Sequence, residues 1–150
     1  MPVSRAMRRL LQVLEIQEEE RRAAMELARV ELDRFKEALT RTKERERNGR
    51  RLVAASAATG EVTDRIAGLE EAGTAKRIAA ALGPRIMEAE AAVSERRREF
   101  LDKRVERRQT ETLIEEAEAR DRVEAGRSAQ RSLDDWFLNR RKKEALPEKE

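Results

Sequence analysis

The chain has 150 residues, of which 43% are charged and 3% aromatic, and its 34 basic and 31 acidic residues leave a net charge of only +3. So much charge, against roughly 25% in an ordinary globular domain, excludes a thick layered core, and the near balance of sign favours charges paired along helices over a disordered chain. The absence of Cys and His removes disulfides, thiol catalysis and the common zinc sites, and no apolar run approaches the roughly 20 residues of a membrane span.

The opening, MPVSRAMRRLLQVLEIQEEE, sets basic residues before Leu and Val. Gln12 and Glu15 interrupt the apolar core that a signal peptide needs, so the expectation is an uncleaved cytoplasmic protein. Between residues 4 and 58 there is no Pro, and Gly49 is the only Gly. A heptad counted from Leu11 passes through Glu18, Met25, Leu32, Leu39, Glu46 and Val53. Its paired positions are Leu14, Arg21, Ala28, Phe35, Thr42, Gly49 and Ser56. The seam is apolar from Met25 to Leu39 and broken by Glu18, Arg21 and Glu46. A period near 3.5 predicts a coiled-coil helix. About 50 residues make a rod of roughly 75 Å, which needs a partner for its apolar stripe.

Residues 59–83 contain Gly60, Gly68, Gly73 and Gly83 and lead into Pro84. This composition predicts a reversal with one or two short helices, capped by Thr63 or Asp64 and by Thr74. Pro84 suits the first turn of a new helix, where its missing N–H costs nothing. A second helix is expected over 84–143, followed by a tail over 144–150. Its stripe is thin, and through SERRREFLDKRVERRQTET only Phe100, Leu101 and Val105 are apolar. Arg and Lys stems cover the rest. The expected fold is therefore all-α: one domain, a long antiparallel two-helix coiled-coil hairpin with a short helical, Gly-rich tip. If the reversal centres near residue 71, Phe35 lies near Val105 and Leu39 near Phe100 or Leu101. Both termini then meet, and Arg5, Arg8, Arg9, Arg140, Arg141, Lys142 and Lys143 crowd beside Trp136 and Phe137.

No catalytic constellation is legible. Acid–base or nucleophilic work would fall to carboxylates, Lys or Ser, and the carboxylates sit on solvated helical faces. No phosphate-cradling Gly-rich loop ends in Gly-Lys-Ser/Thr. The expectation is a protein that is not an enzyme and carries no cofactor or metal. The Arg clusters ERRR (95–98) and KRVERR (103–108) invite a nucleic-acid reading. Glu95, Glu99, Asp102 and Glu106 interleave with them, which favours a solvated face of i,i+4 ion pairs. The basic amphipathic N-terminus suits a membrane surface, but Glu15 and Glu18 to Glu20 oppose anionic lipid.

Two stretches stand out. Leu133, Trp136 and Phe137, in LDDWFLNRRKK, share one helical face at i, i+3 and i+4. They either close the open end against Val3, Met7 and Leu10 or anchor a partner, since aromatics and Arg dominate interfaces. RIAAALGPRIMEAE (77–90) is the most apolar stretch, with Ile78, Leu82, Ile86 and Met87. It either packs locally on the hairpin or forms a second contact surface.

The chain resembles the flagellar FliJ family of small coiled-coil proteins of the type III export apparatus. The resemblance rests on the opening MRRLLQVLEIQEEERRAAMELARVELDRF, on the ending RSLDDWFLNRRKK, and on the helix–reversal–helix layout of the whole chain. The ending is similar to the family's acid-acid-aromatic segment before a basic tail, with Trp136 in the place often held by Phe. The resemblance implies a stalk-like coupling subunit whose open end engages the hexameric export ATPase through Arg8, Arg9, Trp136, Phe137, Arg140 and Arg141. It also implies a tip contact with the membrane export-gate protein, for which Ile78, Leu82 and Ala89 match the family's spacing. Export chaperones are further partners it implies. The expected place is the cytoplasm, peripherally at the inner face of the cell membrane, without nucleic acid. The rival readings are the stalk of a virulence-type secretion system, a homo-oligomeric coiled-coil scaffold and a nucleic-acid-associated coiled coil.

Overall fold

The computed structural model of the protein describes Val3 and residues 5–146. Two long helices pack against each other, α1 over Arg5–Thr59 and α2 over Val62–Ala145, and the described residues contain no strand. The expected starting residue Ser4 and residues 147–150 of the expected tail lie outside the described residues. By contacts the chain divides into two compact units: Met1–Ile16 with Arg104–Glu150, and Gln17–Lys103.

In the unit Gln17–Lys103 the chain reverses at Gly60 and Glu61. Among the described residues Gly60 alone has positive φ, 73°, and its N–H donates to the Ser56 carbonyl at 2.8 Å, the left-handed cap that glycine adopts without steric cost. The Glu61 carbonyl accepts the Arg65 N–H at 3.3 Å and starts α2. The reversal is therefore one cap long. Residues 62–83, expected as a separate tip, belong to α2, and Thr74 lies inside that helix. Gly68 is helical because it is a packing residue. A Cβ there would stand 2.6 Å from the Gly49 carbonyl oxygen, and one on Gly49 would stand 2.8 Å from the Ala72 nitrogen. The two backbones touch at this point, and only glycine fits.

Pro84, expected at the start of a helix, lies inside α2. Its ring leaves the Ala80 carbonyl without an intrahelical donor. Both residues are exposed, so the missing bond falls on the solvent side of the helix, where it costs least.

The early reversal resets the pairing. Arg45 meets Glu71 at 2.7 Å, Lys36 meets Glu90 at 3.9 Å and Arg21 meets Glu99 at 3.3 Å. Phe35 shares a shallow hollow with Arg85, Glu88, Ala89 and Ala92, not with Val105, because the turn lies about ten residues earlier than expected. The heptad read along α1 is the one that is covered: Met25, Thr42, Gly49 and Ser56 are buried, and Leu32, Phe35, Leu39 and Val53 half-buried. Its charged interruptions are paired, Arg21 with Glu99 and Glu46 with Arg50. On α2, Gly68, Ala75 and Ala89 are buried opposite them. The buried hydroxyls bond back into their own helices, Thr42 to the Ala38 carbonyl and Ser56 to that of Val53, both at 2.7 Å. No polar side-chain atom buried among the described residues lacks a partner.

In the unit Met1–Ile16 with Arg104–Glu150, Leu14, Thr110 and Ile114 are buried and Arg8 reaches Glu118 at 3.3 Å. The start of α1 thus lies beside residues near Glu118, and α2 runs on for more than twenty residues beyond them. From residue 122 to 146 every residue is exposed.

Two outcomes check this account. Gly→Ala in an exposed helix interior stabilises by about 1 kcal/mol. Gly73→Ala, where an added Cβ meets nothing, raises the melting temperature. Gly68→Ala lowers it, because the overpacking cost of about 1–3 kcal/mol exceeds the propensity gain. The second concerns Glu71, whose carboxyl the Arg45 hydrogen bond holds below its usual pKa. A depressed folded-state pKa adds stability above the unfolded carboxylate pKa, and that stability is lost as pH falls through the folded value. The melting-temperature gap between wild type and Glu71→Gln, small at this exposed pair, is therefore present near neutrality and closes in acid.

Candidate functional site

The site begins with a change of phase along α2. Up to Asp121 the covered positions follow one heptad, through Thr110, Ile114 and Ala117. Continued, that heptad reaches Glu124, Ser128, Arg131 and Asp135, a polar run with nothing to bury. The apolar residues instead appear on another side. At 100° per residue, Leu133, Trp136 and Phe137 centre roughly 130° round the helix from the side that packs on α1. Their exposures are 53%, 54% and 57%.

The aromatic pair is ordered locally. Trp136 and Phe137 meet edge to face with ring centroids 5.0 Å apart and planes at 75°. The Arg140 guanidinium lies 5.4 Å from the Trp136 ring centroid, within cation–π range, and its Nε donates to Glu144 at 3.1 Å. From Trp136 to Lys143 there is no acid and there are four consecutive cations. An exposed aromatic face collared by positive charge is suited to docking on an apolar surface bordered by carboxylates.

The structure brings Trp136, Phe137, Arg140 and Arg141 to one end of α2 but does not bring Arg8 and Arg9 to them. Trp136 is 18 residues past Glu118, the partner of Arg8, which is roughly 27 Å at helical rise. The aromatic face also points away from α1, so the closing contact with Val3, Met7 and Leu10 is absent. Arg8 and Arg9 form a separate exposed basic pair.

Ile78, Leu82 and Ala89 are not at the reversal. Leu82 is half-buried and Ala89 only 7% exposed, both facing α1, while Ile78 at 37% lies on the flank. The residues beside the reversal are Val62, Ile66 and Leu69, exposed at i, i+4 and i+7. The sequence carried that spacing, but Gly68 and Gly73 disguised it as loop.

Among the described residues no group of three or more acidic side chains is gathered to hold a metal ion, and no helix is long and apolar enough to cross a membrane. From its 54% exposure the expected fluorescence of Trp136 is that of a water-exposed indole, open to acrylamide quenching, and the expected effect of Arg8→Glu on that emission is none. A blue-shifted, protected Trp136 in the dilute chain would place α1 over it. No protein-family model, no curated protein and no solved structure matches the chain.

Proposed function

We propose that the protein is a non-enzymatic, stalk-like coupling subunit of a flagellar type III protein export apparatus, joining the export ATPase hexamer to the membrane export gate. One observation carries the reading furthest. α2 continues past the start of α1 as an exposed helix whose aromatic face is turned away from its own partner helix. A chain whose hydrophobic area is scarce commits its one Trp to a surface it does not bury. Such an anchor is the kind of group that dominates protein interfaces.

In this reading Trp136, Phe137, Arg140 and Arg141 engage the ATPase, and Arg8 and Arg9 act as a second, separate basic contact. The gate contact moves from Ile78, Leu82 and Ala89 to the exposed strip Val62, Ile66 and Leu69 beside the reversal. The protein then works in the cytoplasm at the inner face of the cell membrane, with export chaperones as further partners.

ATP hydrolysis by the export ATPase of the same organism tests this. The protein stimulates turnover, and Trp136→Ala/Phe137→Ala weakens the stimulating interaction by about tenfold or more, the loss expected of interface anchors. Circular dichroism of that variant stays helical. Absence of binding and stimulation by the wild-type chain, across a range of concentrations, overturns the stalk reading.

A further inference from the structure

The end of α2 carries a second heptad, out of phase with the first. Arg122, Gly126, Ala129, Leu133, Trp136 and Arg140 follow one another at steps of four and three, the spacing of a coiled-coil seam. All are exposed, and Phe137 flanks them. The strip is small at one end of its apolar middle, Gly126 and Ala129, and large at the other, Leu133 and Trp136. A Cβ placed on Gly126 would meet no atom within 4 Å, so the notch there is open to an incoming group. Arg122 and Arg140 bound the strip, roughly 27 Å apart at helical rise. Glu124, Asp134 and Asp135 lie about 110° or more round the helix from the strip's centre, whereas Glu144 lies near it and pairs with Arg140 at 3.1 Å.

We propose that this strip is a docking seam for an α-helix of another protein, one that sets a bulky apolar side chain over Gly126 and Ala129 and carboxylates against Arg122 and Arg140. The inference rests on reading the end of α2 as a partner-binding segment, and it names the chemistry of that partner. A second copy fits poorly. Laid antiparallel with Trp136 over Gly126, it sets Arg122 against Arg140; laid parallel, it sets each Arg against itself. Either arrangement sets Arg against Arg, and Glu144, already paired with Arg140, offsets the repulsion only in part. A lipid surface fits poorly as well, because Gly126 and Ala129 offer it almost nothing to insert, whereas a packed helix gains from their close approach.

The test uses the full chain and two designed helical peptides about four heptads long, with Leu at the seam positions. One carries Glu at the flanking positions and the other Lys. Trp136, the only Trp, reports docking by a blue shift. The acidic peptide binds about tenfold or more tightly than the basic one, and Arg122→Glu/Arg140→Glu reverses the preference. Gly126→Leu, which favours the helix and whose Cβ meets no neighbour, closes the notch and weakens the acidic peptide about tenfold. Equal affinity for the two peptides, or binding of neither, overturns the proposal. So does a blue shift on concentrating the chain alone, which assigns the strip to a second copy. A shift produced by phosphatidylcholine–phosphatidylglycerol vesicles and not by the peptides overturns it in favour of lipid. The ATPase assay is separate: its failure removes the export reading and leaves the peptide result standing.

Discussion

The pairing of α1 with α2 depends on where the chain turns, and the turn depends on two glycine roles. Gly60 takes the left-handed conformation that caps α1. Gly68 gives up its side chain so that α2 can lie against the backbone of Gly49. With the cap so short and the contact so close, the residues that can oppose one another are settled: Arg45 with Glu71, Lys36 with Glu90, Arg21 with Glu99. These exposed ion pairs add little stability individually. They read out a register that backbone contact and the heptad impose. Because α1 is 55 residues long and α2 is 84, a turn this early makes the helices unequal. The surplus of α2 is the segment that holds Trp136.

Much of this was legible in the sequence, for reasons that can be named. The α1 heptad could be counted because Met25, Leu32, Phe35 and Leu39 repeat without interruption. The burial of Thr42, Gly49 and Ser56 at its later positions follows the same count. The turn was not legible, because glycine has two opposite uses. It breaks helices through its freedom and joins them through its lack of a side chain, and Gly60 and Gly68 exemplify one use each within nine positions. Pro84 misled in a related way. Its cost inside a helix is set by whether water can reach the Ala80 carbonyl, which depends on burial and not on local sequence.

The candidate site was half legible. The aromatic–basic cluster at 133–143 announced itself by composition, and its residues do share a face. Its direction was not visible. A face has meaning only relative to the seam, and the seam of α2 through Arg107 and Thr110 is too polar to be followed by hydropathy. Once that seam is known from burial, the aromatic face proves to be turned from it. A helix that would be marginal alone in water thus displays its largest hydrophobes outward. This juxtaposition is what supports the proposed partner-binding stalk, in which the paired helices would supply stiffness and the exposed end of α2 the contact.

The paired helices are unequal: α2 outruns α1, and Trp136 does not lie beside Arg8. The absence of native Cys makes site-directed spin labelling straightforward. With labels at positions 8 and 136, the account predicts a separation of roughly 30 Å, from 18 residues of helical rise and a helix-to-helix spacing of about 10 Å. A dominant separation near 10 Å, no wider than one helix-to-helix spacing, would bring Trp136 back beside Arg8 and contradict it.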